Sequence, residues 1–106
     1  MKARAQKDGL NSIVEIDRIV HEPARLLILA CLSAVQSADF VFLMNQTELT
    51  KGNLSAHLNK LEAAGDVSIT KGFVAKIPRT LIRLTNEGRK ALELYAREMK
   101  DVLRKL

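Results

Sequence analysis

The sequence predicts a mostly α-helical domain that carries one β-hairpin (α+β). Three observations predict it. Leu54, Leu58 and Leu61 recur at helical spacing behind Thr50, a good N-cap, and Gly65 stands where such a helix would stop. Val67 and Ile69 then alternate with Ser68 and Thr70, and a second alternating run follows at 80–84, so the period falls from 3.6 to 2. Last, Leu92, Tyr95, Met99, Val102 and Leu106 repeat at spacings of 3, 4, 3 and 4, a coiled-coil-like seam.

The elements follow in order. Leu10, Ile13, Val14, Ile16, Asp17 and Val20 fall at near-helical spacing and predict a first helix at about 10–21. Glu22 precedes Pro23 and must leave helical geometry, and Pro23 can open the next helix at its first position. That helix, ARLLILACLSAV, is apolar nearly all round and belongs in the core. Ser37 and Asp39 are candidate caps for a third helix at 39–46, although Phe40, Val41 and Phe42 also fit the start of a short strand. A fourth helix is expected at 51–64, strands at 67–70 and 80–84 with a loop at 72–78, and a final helix at 86–105 capped by Thr85.

Composition narrows the function classes. The 106 residues suffice for a single domain, 1–106, with 1–9 expected to be flexible. The chain is 47% hydrophobic but only 4% aromatic, so its core is aliphatic. No apolar run approaches a bilayer span, and the basic start MKARAQKDG leads into no signal-peptide core. The expected location is the cytoplasm, with no membrane partner. Cys31 is alone, which excludes an internal disulfide, and it sits in the apolar run LLILACL. His21 reads as a hydrogen-bonding residue at a helix end, and His57 as a partly buried structural one. These two histidines, one cysteine and no acidic cluster make no metal site. No nucleophile–base set, phosphate loop or paired carboxylates are present, so neither an enzyme nor a cofactor is expected.

Charge is more informative for where it lies than for its total of +5. Residues 50–83 hold six basic side chains (Lys51, Lys60, Lys71, Lys76, Arg79, Arg83) against Glu62 and Asp66, a net of +4. Residues 1–49 net −1 and residues 84–106 net +2. A local basic excess suits a polyanion such as nucleic acid.

Two helices joined by a short turn and followed by a hairpin make the order of a winged helix-turn-helix. The major groove of DNA admits one helix, held by apolar contacts on its back and reading bases from its N-terminal end. Leu54, Leu58 and Leu61 supply the back. Thr50, Gly52, Asn53, Ser55, Ala56 and Asn59 supply the open face, and Lys51 and Lys60 suit phosphates. Gly52 costs stability in a helix, but it lets the tip approach a phosphate closely. Lys71, Lys76 and Arg79 on the hairpin can reach the neighbouring backbone or minor groove.

The runs T-K-G-N-L-S-x-H-L-x-x-L-E-x-A-G, K-G-F-V-x-K-x-P-R-T and R-L-T-x-E-G-R resemble the small winged-helix transcriptional regulators of bacteria and archaea related to the MarR and ArsR groups. The resemblance covers roughly residues 17–95. It implies a DNA-binding repressor or regulator that works as a homodimer on an operator, with an inverted repeat expected. It also implies dimer contacts from the terminal helices, which here would be Ile13, Ile16, Val20, Leu92, Tyr95, Met99, Val102, Leu103 and Leu106. Two departures stand out. Glu48 occupies a turn position where the family often has glycine, and Ala75 does the same in the wing. The cysteine pairs of metal-sensing relatives are absent. Two other readings stay open: a winged helix that binds protein, and an architectural DNA binder without sequence preference.

Overall fold

The computed structural model describes residues 15–106, so the expected flexible segment 1–9 and Leu10, Ile13 and Val14 of the expected first helix lie outside the described residues. Residues 16–22 correct the rest of that helix, being turns and bends. The cause is local. Asp17 Oδ1 accepts hydrogen bonds from the backbone N–H of Ile19 (2.9 Å) and Val20 (3.2 Å), offering the chain an alternative to helical pairing. Ile16 and Val20 are nevertheless buried.

Helix α1 (Pro23–Ser33) starts as expected, with Pro23 in its first turn and the Glu22 carboxylate accepting from Arg25 N–H at 2.8 Å. Ile28, Leu29 and Leu32 face the core, but Leu27 is 43% exposed. The expectation of burial all round therefore fails on one side, since so small a domain lacks the mass to enclose a whole helix. Next, β1 (Ala38–Asp39) is a two-residue strand and α2 (Phe40–Thr47) follows without a break. Asp39 caps α2 by accepting from Val41 N–H at 2.7 Å, while Ser37 does not.

Helix α3 (Lys51–Ala63) is separated from α2 by three residues. Gly65 ends the segment at φ +84°, a left-handed angle that glycine adopts without steric cost. The hairpin is longer than the sequence predicts. Strands β2 (Val67–Val74) and β3 (Ile77–Leu84) pair in register from Val67↔Leu84 to Val74↔Ile77, replacing the expected loop at 72–78 with a two-residue turn at Ala75 and Lys76. Pro78 lacks an N–H, yet it fits because β1 covers β3 only at Leu81 and Ile82, leaving that edge open at Pro78. The antiparallel sheet runs β1-β3-β2, and α4 (Asn86–Arg104) closes the chain with Thr85 as its cap. Among the described residues, four helices and a three-stranded sheet, in this order, form a winged helix fold.

One junction ties the parts together. Asp66 N–H reaches back to Leu61 O (2.9 Å), Asp66 O accepts from Thr85 N–H (3.1 Å), and Thr85 Oγ1 donates to Gly65 O (2.6 Å). A β-carbon on Gly88 would collide with the Asp66 carbonyl, so glycine is what allows α4 to sit this close to the end of α3. The Asp66 side chain is itself 5% exposed, and its Oδ2 has no hydrogen-bond partner. Burial, and then the nearby Asp17 charge, raise its carboxyl above the ordinary aspartate value. The ionised form is thus penalised in the folded state. Stability is therefore full below the unfolded carboxylate range, where Asp66 is protonated in both states, and it falls as pH rises through the raised value. Asp66→Asn should stabilise the protein at neutral pH, by about 1 kcal/mol. Urea melts across that range should show a falling midpoint for the parent and a flatter one for the variant.

Candidate nucleic-acid interface

The turn that presents α3 is built from Thr47 and Glu48. Thr47 is buried and donates through Oγ1 to Leu43 O at 2.7 Å. Glu48 adopts φ 58°, ψ 22° and donates its N–H to Met44 O at 2.9 Å. Glu48 thus accepts the left-handed angle that a glycine would take more cheaply, at a cost of about 1 kcal/mol. Thr50 then caps α3, accepting from Asn53 N–H at 3.1 Å. The N–H groups of the first turn beyond that bond point out of the helix tip.

The two sides of α3 divide cleanly. Leu54, Leu58 and Leu61 are buried in the core. His57 is half-buried and receives a hydrogen bond from Arg25 Nη1 at 3.2 Å; since a guanidinium only donates, Nδ1 is the acceptor. The same guanidinium donates through Nε to Ile19 O at 2.6 Å, so Arg25 clamps α3 and the 16–22 turn onto α1. His21 Nδ1 lies 2.8 Å from the Tyr95 hydroxyl, a hydrogen bond within the chain.

Outside the leucine stripe, Thr50, Lys51, Gly52, Asn53, Ala56, Asn59 and Lys60 are exposed and Ser55 is half-buried. A β-carbon on Gly52 would meet nothing within 4 Å, so the fold does not need glycine there. Lys51, Ser55 and Asn59 line one edge of a groove of about 340 Å³, and Lys71 and Thr80 of the hairpin line the other. Phe40, Leu58 and Ile69 supply its apolar wall. Register explains the pairing: Lys71 stands opposite Thr80, on the sheet face that holds Ile69 and Ile82. Lys60 and Lys76 lie outside this groove, and Lys76 sits in the wing's turn at φ 68°.

Arg79 is differently placed. It shares the other face of the sheet with Leu81, and its Nη1 donates to Asp39 Oδ2 at 3.0 Å. The Asp39 carboxyl is held below the usual aspartate value, first by the Val41 N–H and also by the Arg79 hydrogen bond and charge, against the opposing effect of partial burial. Asp39, Thr80 and Phe40 were not signalled as site residues by the sequence. Only the strand register, with Thr80 opposite Lys71, could have marked Thr80.

The terminal-helix positions separate as well. Ile16, Val20 and Tyr95 belong to the chain's own core, and Leu92 and Met99 pack partly against it. Val102 is buried, whereas Leu103 is 59% and Leu106 88% exposed. Ile13 lies outside the described residues. Leu94, 47% exposed, lies off the seam the spacing marks. No described helix is long and apolar enough to cross a membrane.

The winged helix DNA-binding domain family matches residues 24–103. An uncharacterised protein of Methanocaldococcus jannaschii is 37% identical over 82 residues, spanning 77% of this chain and 89% of that protein. The solved structure of a transcriptional regulator homologue from Pyrococcus horikoshii superposes with a TM-score of 0.83 at 30% identity, covering 92% of this chain and 95% of that one. The transcriptional repressor CouR, solved on a 23-mer DNA duplex, shares the fold at TM-score 0.73 and 19% identity, over 96% of this chain and 69% of its own. Solved MarR-family regulators also share the fold, in line with the resemblance read from the sequence.

The Asp39–Arg79 pair gives a test of the wing. Asp39→Asn keeps an oxygen to cap α2 but removes the charge that holds Arg79. Duplex binding by the variant should tighten, and the log–log salt slope should steepen by about 0.9, one phosphate contact. Anisotropy titrations over a salt series measure both. An unchanged slope would mean that Arg79 already reaches phosphate past Asp39, or never does.

Proposed function

The chain belongs to the winged helix DNA-binding domain family, and from that premise we propose that it is a sequence-specific regulator of transcription that acts as a homodimer, in repressing mode. Its relatives make it a DNA-binding regulator rather than an enzyme. The observation that carries the finer reading is the division of α3: leucines hold its back, while Lys51, Asn53, Ser55 and Asn59 stand open beside a cationic wing. A helix with side chains is about 10–12 Å across, the width of the major groove. With α3 in that groove, amides and hydroxyls meet base edges and Lys51 and Lys71 flank the phosphate strand that passes between helix and wing. The glycine at position 52, which folding does not require, lets the tip come close.

Supporting the repressor and duplex readings is the CouR structure, a repressor of the same fold on a DNA duplex. Supporting the dimer reading is the end of α4, where Leu103 and Leu106 extend the apolar stripe beyond the core and remain exposed. Two-fold pairing there would set two α3 helices on half-sites about 34 Å apart.

Selection of bound duplexes from a random pool tests the proposal. An enriched inverted repeat bound by two chains is the expected outcome; salt-sensitive binding without enrichment would instead indicate an architectural protein. Asn53→Ala leaves the Thr50 cap intact, because the capped group is the backbone N–H. It should relax preference at one base position per half-site, by about 1–3 kcal/mol. Leu103→Asp changes an exposed side chain, so the fold should persist while sedimentation reports monomers and operator affinity falls. Dimers that survive this change would rule out the α4 terminus as the interface.

A further inference from the structure

The cations of the wing account for only part of its surface. Phe73 is 75% exposed, Val74 58% and Ile77 55%. Three large apolar side chains at the tip of one hairpin do nothing for the core and cost solubility unless something covers them. We infer that this tip is a wedge for the minor groove of duplex DNA, with Phe73 entering between two base pairs and unstacking them. The inference rests on the DNA-binding reading above and adds a mode of contact to it.

Register places Phe73. The pairs Val67↔Leu84, Ile69↔Ile82, Lys71↔Thr80 and Phe73↔Pro78 fall on one face of the hairpin. Phe73 therefore stands on the same face as Lys71, which lines the groove beside α3. It lies two residues farther out, roughly 7 Å along the strand. When Lys71 meets the phosphate strand that borders the major groove, Phe73 is beyond that strand, over the adjacent minor groove. The projection is stiff, since pairing continues to Val74↔Ile77 and Pro78, opposite Phe73, fixes its own backbone angle.

Charge names the partner. Residues 67–84 contain Lys71, Lys76, Arg79 and Arg83 and no carboxylate. An apolar point set among cations, continuous with the open face of α3, fits a polyanion with apolar base faces inside it. Minor-groove proteins insert Phe or Pro in this way and kink the duplex by about 20–90°.

The test uses the tightest-binding duplex recovered from the random pool. Copies carry 2-aminopurine at successive steps outside the major-groove half-sites, and a donor–acceptor pair marks the duplex ends. The whole chain should brighten 2-aminopurine at one step per half-site and bring the ends closer. Phe73→Ala should abolish both signals and weaken binding about tenfold, the scale of one lost base–aromatic contact. Phe73→Leu, which keeps an apolar point, should retain part of the bend. Unchanged brightening and bending in Phe73→Ala would overturn the wedge while leaving the regulator reading intact. So would a bend intact in Phe73→Ala together with loss of dimers, or with loss of co-sedimentation with phosphatidylserine vesicles, since the tip would then serve a second copy or a lipid surface. No duplex bound by the parent chain would overturn the wedge and the DNA-binding reading together.

Discussion

Three leucines hold the interface in place. Leu54, Leu58 and Leu61 point from α3 into a core shared with Ile28, Leu29, Leu32, Leu43 and Ile82, and all of these are almost wholly buried. Each such side chain contributes roughly 1.5–3 kcal/mol of burial. That anchorage releases the opposite side of the helix from structural duty, which is why it can carry a glycine, two asparagines and a serine where stability alone would favour better helix formers. Arg25 adds direction to the anchorage. By bonding His57 on α3 and the Ile19 carbonyl ahead of α1, it fixes how α3 is rotated as well as how deeply it sits.

The wing is attached by a different kind of contact. Its base is continuous with the core through Val67, Ile82 and Leu84, whereas Phe73, Val74 and Ile77 at its tip are exposed. Between the two, Lys71 and Thr80 border the groove beside α3. There the Asp39–Arg79 pair links the sheet to the start of α2, at the edge of the helix-turn-helix. The same aspartate caps α2, so one carboxylate serves the helix start and the wing together. This arrangement trades one free cation for a defined wing angle. Such an exposed pair adds little to stability, and its value is geometric.

How much of this was legible depends on how local each cause is. The cap, leucine period and terminal glycine of α3 all lie within sixteen residues, and the structure places that helix within one residue of the expected end. The hairpin was legible as a hairpin but not in its length. Gly72 and Pro78 carry the usual signals of a loop, whereas the true turn at Ala75 and Lys76 carries none. The 16–22 turn was hidden because apolar spacing outweighed the quiet capping chemistry of Asp17. The Asp39–Arg79 pair joins residues forty positions apart, and nothing in either neighbourhood announces it. Periodicity on α4 marks an apolar stripe, but it cannot say whether a stripe meets its own core, as at Tyr95, or a second chain.

The tight turn at Ala75 and Lys76 also limits how such a wing can change over generations. In a paired hairpin, neighbouring side chains point to opposite faces, so a single-residue insertion or deletion in β2 turns every position beyond it over. Lys71 and Phe73 would leave the side they share with Thr80 and Pro78, and Gly72 and Val74 would take their place. With no slack in the turn to absorb the slip, length can vary only by two residues on each strand at once. Wings of this lineage should therefore differ in reach by discrete steps of four residues, each step carrying the same two faces farther along the DNA.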